Sequence, residues 1–142
     1  MNDKNQIKLY SAINEGDVDE VRILLEQGTT PDGTDPTKWT PLMNAAELGN
    51  LEIIKLLLSY GAEINHADQH GMTPLHIAVD IAIDGTLQTR GILREEPTEI
   101  IRFLLDSGAD MNVKDIRGET PLDWSQKYQS EKISTLLNKH SK

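Results

Sequence analysis

The sequence predicts an all-α solenoid, in which about four helix-turn-helix repeats are joined by short hairpin turns. The tripeptide Thr-Pro-Leu occurs three times, beginning at Thr40, Thr73 and Thr120. A glycine keeps the same register, at Gly28, Gly61 and Gly108. Both series are spaced by 33 and then by 47 residues. A fixed period of about 33 residues indicates repeat architecture, and the longer second spacing predicts an insertion of about 14 residues in the third repeat.

This register divides the chain into four units, which we expect to form one domain over residues 1–142. The units are at about residues 6–33, 34–67, 68–114 and 115–142. The first lacks Thr-Pro-Leu, and the last has Gln129 at the position of Gly49 and Asn138 at the position of Leu58. Because terminal repeats turn one face to water, such irregular end units are expected of caps.

The first helix of each complete unit begins at Thr-Pro. In the third unit Thr73 can cap the helix, and Pro74 fits the first helical position, where no backbone N–H is needed. Leu75, Ala78 and Val79 then follow one apolar stripe of a helix.

The second helices, such as residues 53–58 and 100–105, are apolar almost all round. That pattern is expected of a helix packed between neighbouring repeats. Gly61 and Gly108 predict the ends of these helices, because glycine tolerates the left-handed conformation.

Tight turns are predicted where one unit meets the next. Residues 68–71 (Asp-Gln-His-Gly) and 115–118 (Asp-Ile-Arg-Gly) combine a locally capping Asp with a Gly that supplies the unusual dihedral angle. The second unit has Lys38 where the others have Gly71 and Gly118, so we expect its turn to differ in shape.

The family resemblance rests on two stretches of sequence. Gly71-Met72-Thr73-Pro74-Leu75-His76-Ile77-Ala78 resembles the ankyrin-repeat signature, as does Leu104-Leu105-Asp106-Ser107-Gly108-Ala109-Asp110-Met111-Asn112. The resemblance extends from about Ile7 to Leu137. It implies that the turns project as hairpin tips and that His76 is a structural residue hydrogen-bonded to nearby turns. It also implies binding of another protein on the concave side, formed by the tips and the first helices.

Carried over by register, this concave side supplies the candidate partner-binding residues. They are Thr37, Trp39, Glu47, Leu48, Gln69, His70, Met72, Asp80, Ile81, Ile116, Arg117, Glu119, Lys127 and Tyr128. Trp39, Met72 and Tyr128 are the foremost candidates, because each is large and occupies a position that the repeat framework does not need filled. Such side chains are typical interface anchors, although each one alone is also an ordinary surface residue.

The insertion covers about residues 81–95. Residues 81–83 (Ile-Ala-Ile) extend the first helix by a turn, and we expect Asp84-Gly85 and Gly91 to break it into a loop. That loop carries the apolar residues Leu87, Ile92 and Leu93. Pro97 is expected in the first turn of the next helix, with Glu96 and Glu99 favouring its N-terminal end. The loop either packs back on the stack or contacts a partner.

The sequence offers no pattern for catalysis or for metal binding. It contains no cysteine, which excludes disulfides, thiol catalysis and cysteine-based zinc sites. His66 and His70 straddle a predicted loop and therefore do not share a helix face. No serine lies in a nucleophile-elbow pattern, and no glycine-rich phosphate loop occurs. We expect a protein that is not an enzyme and has no catalytic residue, metal or cofactor.

The net charge of −9, from 23 acidic and 14 basic residues, disfavours nucleic-acid binding. An acidic surface either serves solubility or suits a basic protein partner. No signal peptide and no membrane-spanning segment is visible. We therefore expect a cytoplasmic protein that is monomeric by itself and does not contact membranes.

The function predicted from these observations is protein binding. A narrower hypothesis comes from the short acidic chain and the Ile83-Asp84-Gly85-Thr86 stretch of its insertion, which resemble bacterial ankyrin-type immunity proteins. That resemblance implies neutralisation of a basic toxin or effector. The alternative is a scaffolding adaptor that recruits a partner without inhibiting it.

Overall fold

The structure, a computed structural model, describes residues 3–88 and 98–140, with the side chains of residues 4–83 and 98–140. These residues form eight helices. They are α1 (Asp3–Glu15), α2 (Val18–Glu26), α3 (Pro41–Leu48), α4 (Leu51–Ser59), α5 (Pro74–Gln88), α6 (Glu99–Asp106), α7 (Pro121–Lys127) and α8 (Glu131–His140). Consecutive helices pair as four units, and no strand occurs within the described ranges. The predicted all-α repeat solenoid is confirmed.

The helices form two rows. The first helix of each unit packs against the first helix of the next, so that α1, α3, α5 and α7 form an inner row. The second helices form an outer row, in which α2 packs against α4 and the Lys55 ammonium of α4 lies 5.4 Å from the centre of the Phe103 ring of α6. The apolar core lies between the rows and between the units.

Local capping explains where the first helices begin. The Thr40 hydroxyl accepts the Met43 N–H at 3.2 Å. Thr120 accepts the Asp123 N–H at 3.2 Å, and the Asp123 carboxylate accepts the Thr120 N–H at 2.9 Å in return. These paired bonds form a capping box, which satisfies two otherwise free donors. The predicted Thr-Pro helix starts are confirmed.

Small residues allow the inner helices to pack closely. Ala45, Ala46 and Ala78, all on helices of the inner row, are buried. The outer helix α4 buries Ile53, Ile54 and Leu57 completely. Burying each of these side chains is worth about 1.5–3 kcal/mol relative to exposure, so the interface between units is a main source of stability.

Three hairpin tips project from the stack, at residues 35–39, 68–72 and 115–119. In the last two tips one oxygen of Asp68 or Asp115 accepts two backbone N–H groups of its own turn, at 2.8–3.0 Å. Gly71 and Gly118 follow with φ values of 74° and 79°.

The expectation that the tip at Lys38 differs in shape is wrong. Asp35 accepts the Thr37 and Trp39 N–H groups at 2.8 and 3.1 Å, and the Lys38 N–H donates to the Asp35 carbonyl as in the other tips. Lys38 itself adopts φ 64°. The turn is imposed by these hydrogen bonds, and the lysine backbone takes the left-handed conformation that glycine takes elsewhere.

The first and last units depart from the repeat pattern in different ways. Helix α1 begins before the register of the other first helices, and Gln6 occupies the position held by Trp39 and Met72 in later units. The Gln6 amide donates to the Gly33 carbonyl at 3.3 Å. At the other end Gln129, which replaces the glycine seen at Gly49, keeps a left-handed φ of 59°.

The insertion begins differently from the prediction. Helix α5 continues through Asp84-Gly85 to Gln88, so these residues do not break it. A single glycine costs a helix only about 1 kcal/mol, and the burial of Ala82 and Ile83 at the start of the extension offsets that cost. Helix α6 begins at Glu99 with Thr98 as its N-cap, two residues after the predicted start at Pro97. Gly91, Ile92, Leu93, Glu96, Pro97 and the side chain of Leu87 lie outside the described residues.

We predict that Lys38→Gly raises the free energy of unfolding by about 1 kcal/mol, because glycine removes the steric cost of the left-handed conformation. Urea unfolding followed by circular dichroism measures the change. Lys38→Ala is the matched control, since it removes the same side chain but keeps the β-carbon, and it should leave stability nearly unchanged. Equal gains in both variants would assign the effect to the lysine side chain and not to its backbone.

Candidate protein-binding face

The inner face is the surface formed by the three hairpin tips and the exposed side of the inner row. Its residues fall at five register positions of the repeat. Three positions are at the tips, namely Pro36, Gln69 and Ile116, then Thr37, His70 and Arg117, then Trp39, Met72 and Glu119. The other two positions are on the inner helices, at or just after the C-terminal ends of α3 and α7 but within the longer α5. They are Glu47, Asp80 and Lys127, then Leu48, Ile81 and Tyr128. Every one of these residues is at least partly exposed.

The tips are joined to one another through their backbones. The Gln69 N–H donates to the Thr37 carbonyl at 3.0 Å, and the Ile116 N–H donates to the His70 carbonyl at 2.9 Å. We call this linked row of tips the tip ridge. Because each tip is also fixed by its own Asp, the ridge presents its side chains from a defined backbone.

We expected that the repeat framework does not need large side chains at Trp39 and Met72, but the structure shows otherwise. Both are half-buried and pack against the apolar core, so each contributes to stability as well as to the surface. Tyr128 matches the expectation better, since it is 51% exposed. The Lys127 ammonium lies 5.9 Å from the centre of its ring and 3.5 Å from the Glu119 carboxylate.

Exposed apolar residues recur at one helix-end position of the inner face. Leu48 is 50% exposed at the end of α3, and Tyr128, at the same register after α7, is 51% exposed. Ile81 lies between them in the register and is half-buried. Ile116, at the tip ridge, is 70% exposed. The framework of the repeat does not bury these side chains.

His76 joins the third unit to the fourth. Its Nδ1 accepts the Thr73 N–H at 3.2 Å, and its Nε2 lies 3.1 Å from the Glu119 carbonyl. Because Nδ1 acts as acceptor, the proton of the neutral ring is on Nε2 and is donated to Glu119. The ring also meets Trp124 edge to face, with 5.8 Å between ring centres. The implied structural role of His76 matches these contacts.

Tyr10 takes the same place in the first unit, two periods before His76. Its hydroxyl lies 2.7 Å from the Trp39 carbonyl and 2.9 Å from the Gly33 carbonyl. Burial, with a smaller effect of the Asp35 charge, raises the pKa of Tyr10, so the hydroxyl keeps the proton that it donates. Tyr10 was not among the predicted site residues, although its register with His76 is visible in the sequence.

Trp124 is a second residue that sequence reasoning missed. Its indole N–H donates to the Asp115 carboxylate at 3.0 Å, which fixes the ring against the tip at residues 115–119. Partial burial raises the pKa of Asp115, but the hydrogen bonds from the Glu119 backbone, Trp124 and the Arg117 backbone outweigh burial, and the pKa is lowered overall. The pKa of Asp35 is lowered in the same way, by Thr37 and the Trp39 backbone acting against burial.

A pocket of about 230 Å³ opens between the tips of the third and fourth units, at residues 68–72 and 115–119. It is lined by His70, Met72, Asp115, Ile116, Arg117 and Trp124. Four of these six residues were predicted for partner binding from the register alone, and Asp115 and Trp124 were not.

The repeat sequence and the helical pairs agree with comparisons to known proteins. The family described as "Ankyrin repeats (3 copies)" matches residues 9–83, and the one described as "Ankyrin repeat" matches residues 70–116. The chain belongs to the ankyrin-repeat family. Ankyrin repeats are protein-interaction modules and are generally not enzymes, so binding to another protein follows from membership.

Similar proteins share the ankyrin repeats and not a common activity. The 2-5A-dependent ribonuclease of Mus musculus is 42% identical over 71 residues, which are 49% of this chain and 10% of that protein. Protein phosphatase 1 regulatory subunit 27 of Mus musculus is 39% identical over 75 residues, 52% of this chain and 49% of that protein. Ankyrin repeat and SOCS box protein 14 of Mus musculus is 36% identical over 92 residues, 65% of this chain and 14% of that protein. The chain thus spans about half the length of these relatives or less.

Within residues 3–88 and 98–140, no group of three His, Cys, Asp or Glu side chains lies close enough together to hold a metal ion. His66 Nε2 contacts the Lys38 carbonyl at 3.1 Å, and His70 Nε2 faces the Gln69 amide at 3.4 Å, so the two imidazoles do not converge. None of the described helices is long and apolar enough to cross a membrane.

We predict that the free energy of unfolding falls as the pH is lowered from about 7.5 to about 5. Burial is the main cause that lowers the pKa of His76 in the folded chain, so the unfolded chain takes up this proton first, near its ordinary pKa of about 6.5. The contribution of neutral His76 is therefore present above that pH and is lost as the pH falls toward the folded pKa. Asp35 and Asp115, whose folded pKa values are lowered, lose their contribution only below about pH 4.

Urea unfolding at the two pH values tests this assignment. His76→Gln should lower stability at neutral pH and flatten its dependence on pH. The control His66→Gln changes a histidine outside the joint and should keep the wild-type slope. An unchanged slope in His76→Gln would contradict the assignment.

Proposed function

We propose that this ankyrin-repeat chain binds its protein partner through the inner face. One observation carries the proposal: of the large apolar side chains exposed in the described residues, Leu48 and Tyr128 share one register position of this face and Ile116 lies at its tip ridge. The other three, Ile7, Ile23 and Tyr60, lie at other positions of the repeat. Clustered apolar anchors of this size supply most of the binding energy in protein interfaces. The tip ridge holds the surrounding polar residues in place, which limits the entropy lost on binding.

The narrower form of the proposal is an inhibitor, such as an immunity protein that neutralises a basic toxin or effector. The net charge of −9 supports it, because an acidic protein attracts a basic partner and speeds their encounter. Glu47 and Asp80 place part of that charge on the inner row.

The alternative form is an adaptor, which recruits its partner without blocking it. The name of one relative, protein phosphatase 1 regulatory subunit 27, favours a regulatory role of this kind. In either form we propose that the four units act as one domain and that the chain is monomeric by itself. A sequence without cysteine fits a reducing compartment, and we propose the cytoplasm. The insertion at residues 81–95 remains a second candidate contact.

We predict that the double variant Leu48→Ser, Tyr128→Ser loses its partner in affinity capture. A tagged chain is used as bait in a lysate of the cells that produce the protein, and captured proteins are quantified by mass spectrometry. Each anchor is expected to contribute about 1–2 kcal/mol, so the captured partner should fall at least about tenfold.

The matched control is Ile23→Ser, Tyr60→Ser, which removes two side chains of similar exposure, 45% and 40%, from the outer row. It should keep the partner. Loss of the partner in the control, with retention in the inner-face variant, would move the binding site away from the inner face. The activity of the captured partner, assayed with and without an equimolar amount of the chain, then separates an inhibitor from an adaptor.

A further inference from the structure

A pocket of the tip ridge lies between the tips of the third and fourth units. Met72, Ile116 and Trp124 supply apolar walls, and the volume of about 230 Å³ has room for one large side chain. Trp124 is held by its hydrogen bond to Asp115 and by its contact with His76. The pocket is therefore preformed on this side, because the Trp124 wall is fixed without any ligand.

The charges that the tip ridge presents to a partner differ from the charge of the whole chain. Asp35, Asp68 and Asp115 each use a carboxylate oxygen to accept N–H groups of their own turn. Lys38 and Arg117 are exposed, and neither forms an ion pair with any other described residue. In a chain of net charge −9, two of the three tips therefore also present an exposed cation.

We propose that this pocket binds one aliphatic or aromatic side chain from an extended segment of the partner, and that a carboxylate beside that side chain pairs with Arg117. The proposal rests on the proposed function and names the chemistry of the segment that binds. Because the pocket lies on the tip ridge and takes one side chain, a projecting segment reaches it without a large matching surface. Burying the side chain supplies affinity, and the pairing with Arg117 selects an acidic neighbour over a basic one.

A basic segment is the competing occupant, because the pocket lining that the described residues form includes one carboxylate, that of Asp115. Its oxygens already accept the Arg117 and Glu119 N–H groups and the Trp124 indole N–H. Three donors leave this carboxylate little capacity for a further cation, whereas the guanidinium of Arg117 is open to solvent.

The experiment is selection of a displayed library of random peptides on the immobilised full chain. Enriched peptides are expected to carry a Leu, Ile, Met or aromatic residue with Asp or Glu within a few positions. Binding of the most enriched peptide, labelled with fluorescein, is then measured by anisotropy. Ile116→Ser should weaken it about tenfold, and Arg117→Glu should weaken it about fivefold.

Two matched variants isolate the pocket. Ile23→Ser makes the same change as Ile116→Ser on an exposed isoleucine of the outer row. Arg102→Glu makes the same change in net charge as Arg117→Glu on an exposed arginine of α6. Both controls should bind the peptide like wild type. Equal weakening by Arg117→Glu and Arg102→Glu would show a general charge effect and overturn the proposal.

The remaining outcomes also separate this inference from the proposed function. Enrichment of basic peptides, or of none above a support without protein, overturns the inference. So does peptide binding that Leu48→Ser, Tyr128→Ser abolishes and Ile116→Ser does not, although the inner face then still binds. Loss of the natural partner only in the outer-row variant overturns the proposed function itself.

Discussion

No helical pair of this chain is large enough to bury its own apolar face, and stacking against a neighbour is the constraint on which the rest of the structure depends. Helix α4 has nine residues, a length at which an isolated helix is barely stable in water. Its side chains at Ile53, Ile54 and Leu57 are nevertheless fully buried, since the helix packs against α3 of its own unit and against α2 of the preceding unit. A shift of one unit against the next would uncover these residues, so stacking also fixes the register that aligns the tips.

The joints between units are not equivalent. Tyr10 and His76 occupy the same register position, and each reaches a carbonyl of the following unit. Met43 holds that position in the second unit, where it is buried and has no group to donate. The second and third units are joined instead by apolar packing, by the Gln69–Thr37 backbone bond of the tip ridge, and by the Asn65 amide, which accepts the Asp110 N–H and donates to the Gly108 carbonyl. The third and fourth units are joined through His76. Because this joint needs the neutral imidazole ring, its contribution to stability depends on pH.

Residues that act through local chemistry could be predicted from the sequence, and residues that act through their neighbours could not. Thr40 and Thr120 cap the helices that their Thr-Pro sequence indicates. Lys38 misled the prediction, because the hydrogen bonds of Asp35 determine the turn whatever residue follows. Gly85 misled it because the packed extension of α5 outweighs the low helix propensity of one glycine. The same holds for the candidate site. The repeat register was enough to predict which positions are at the surface. The half-burial of Trp39 and the hydrogen bond from Trp124 to Asp115 could not be predicted, because both depend on how neighbouring units pack.

The division between framework and surface also explains how an acidic chain presents cations at its tips. The net charge of −9 acts on a partner at a distance, over roughly 10 Å before salt screens it. At contact distance the positions of individual groups decide the interaction, and the carboxylates of Asp35, Asp68 and Asp115 each accept N–H groups of their own turn. A change to one of those aspartates would remove a charge and also release the turn that it holds. These three aspartates are thus part of the fold, whereas Arg117 is exposed at the surface, where the proposed pairing with a partner would take place.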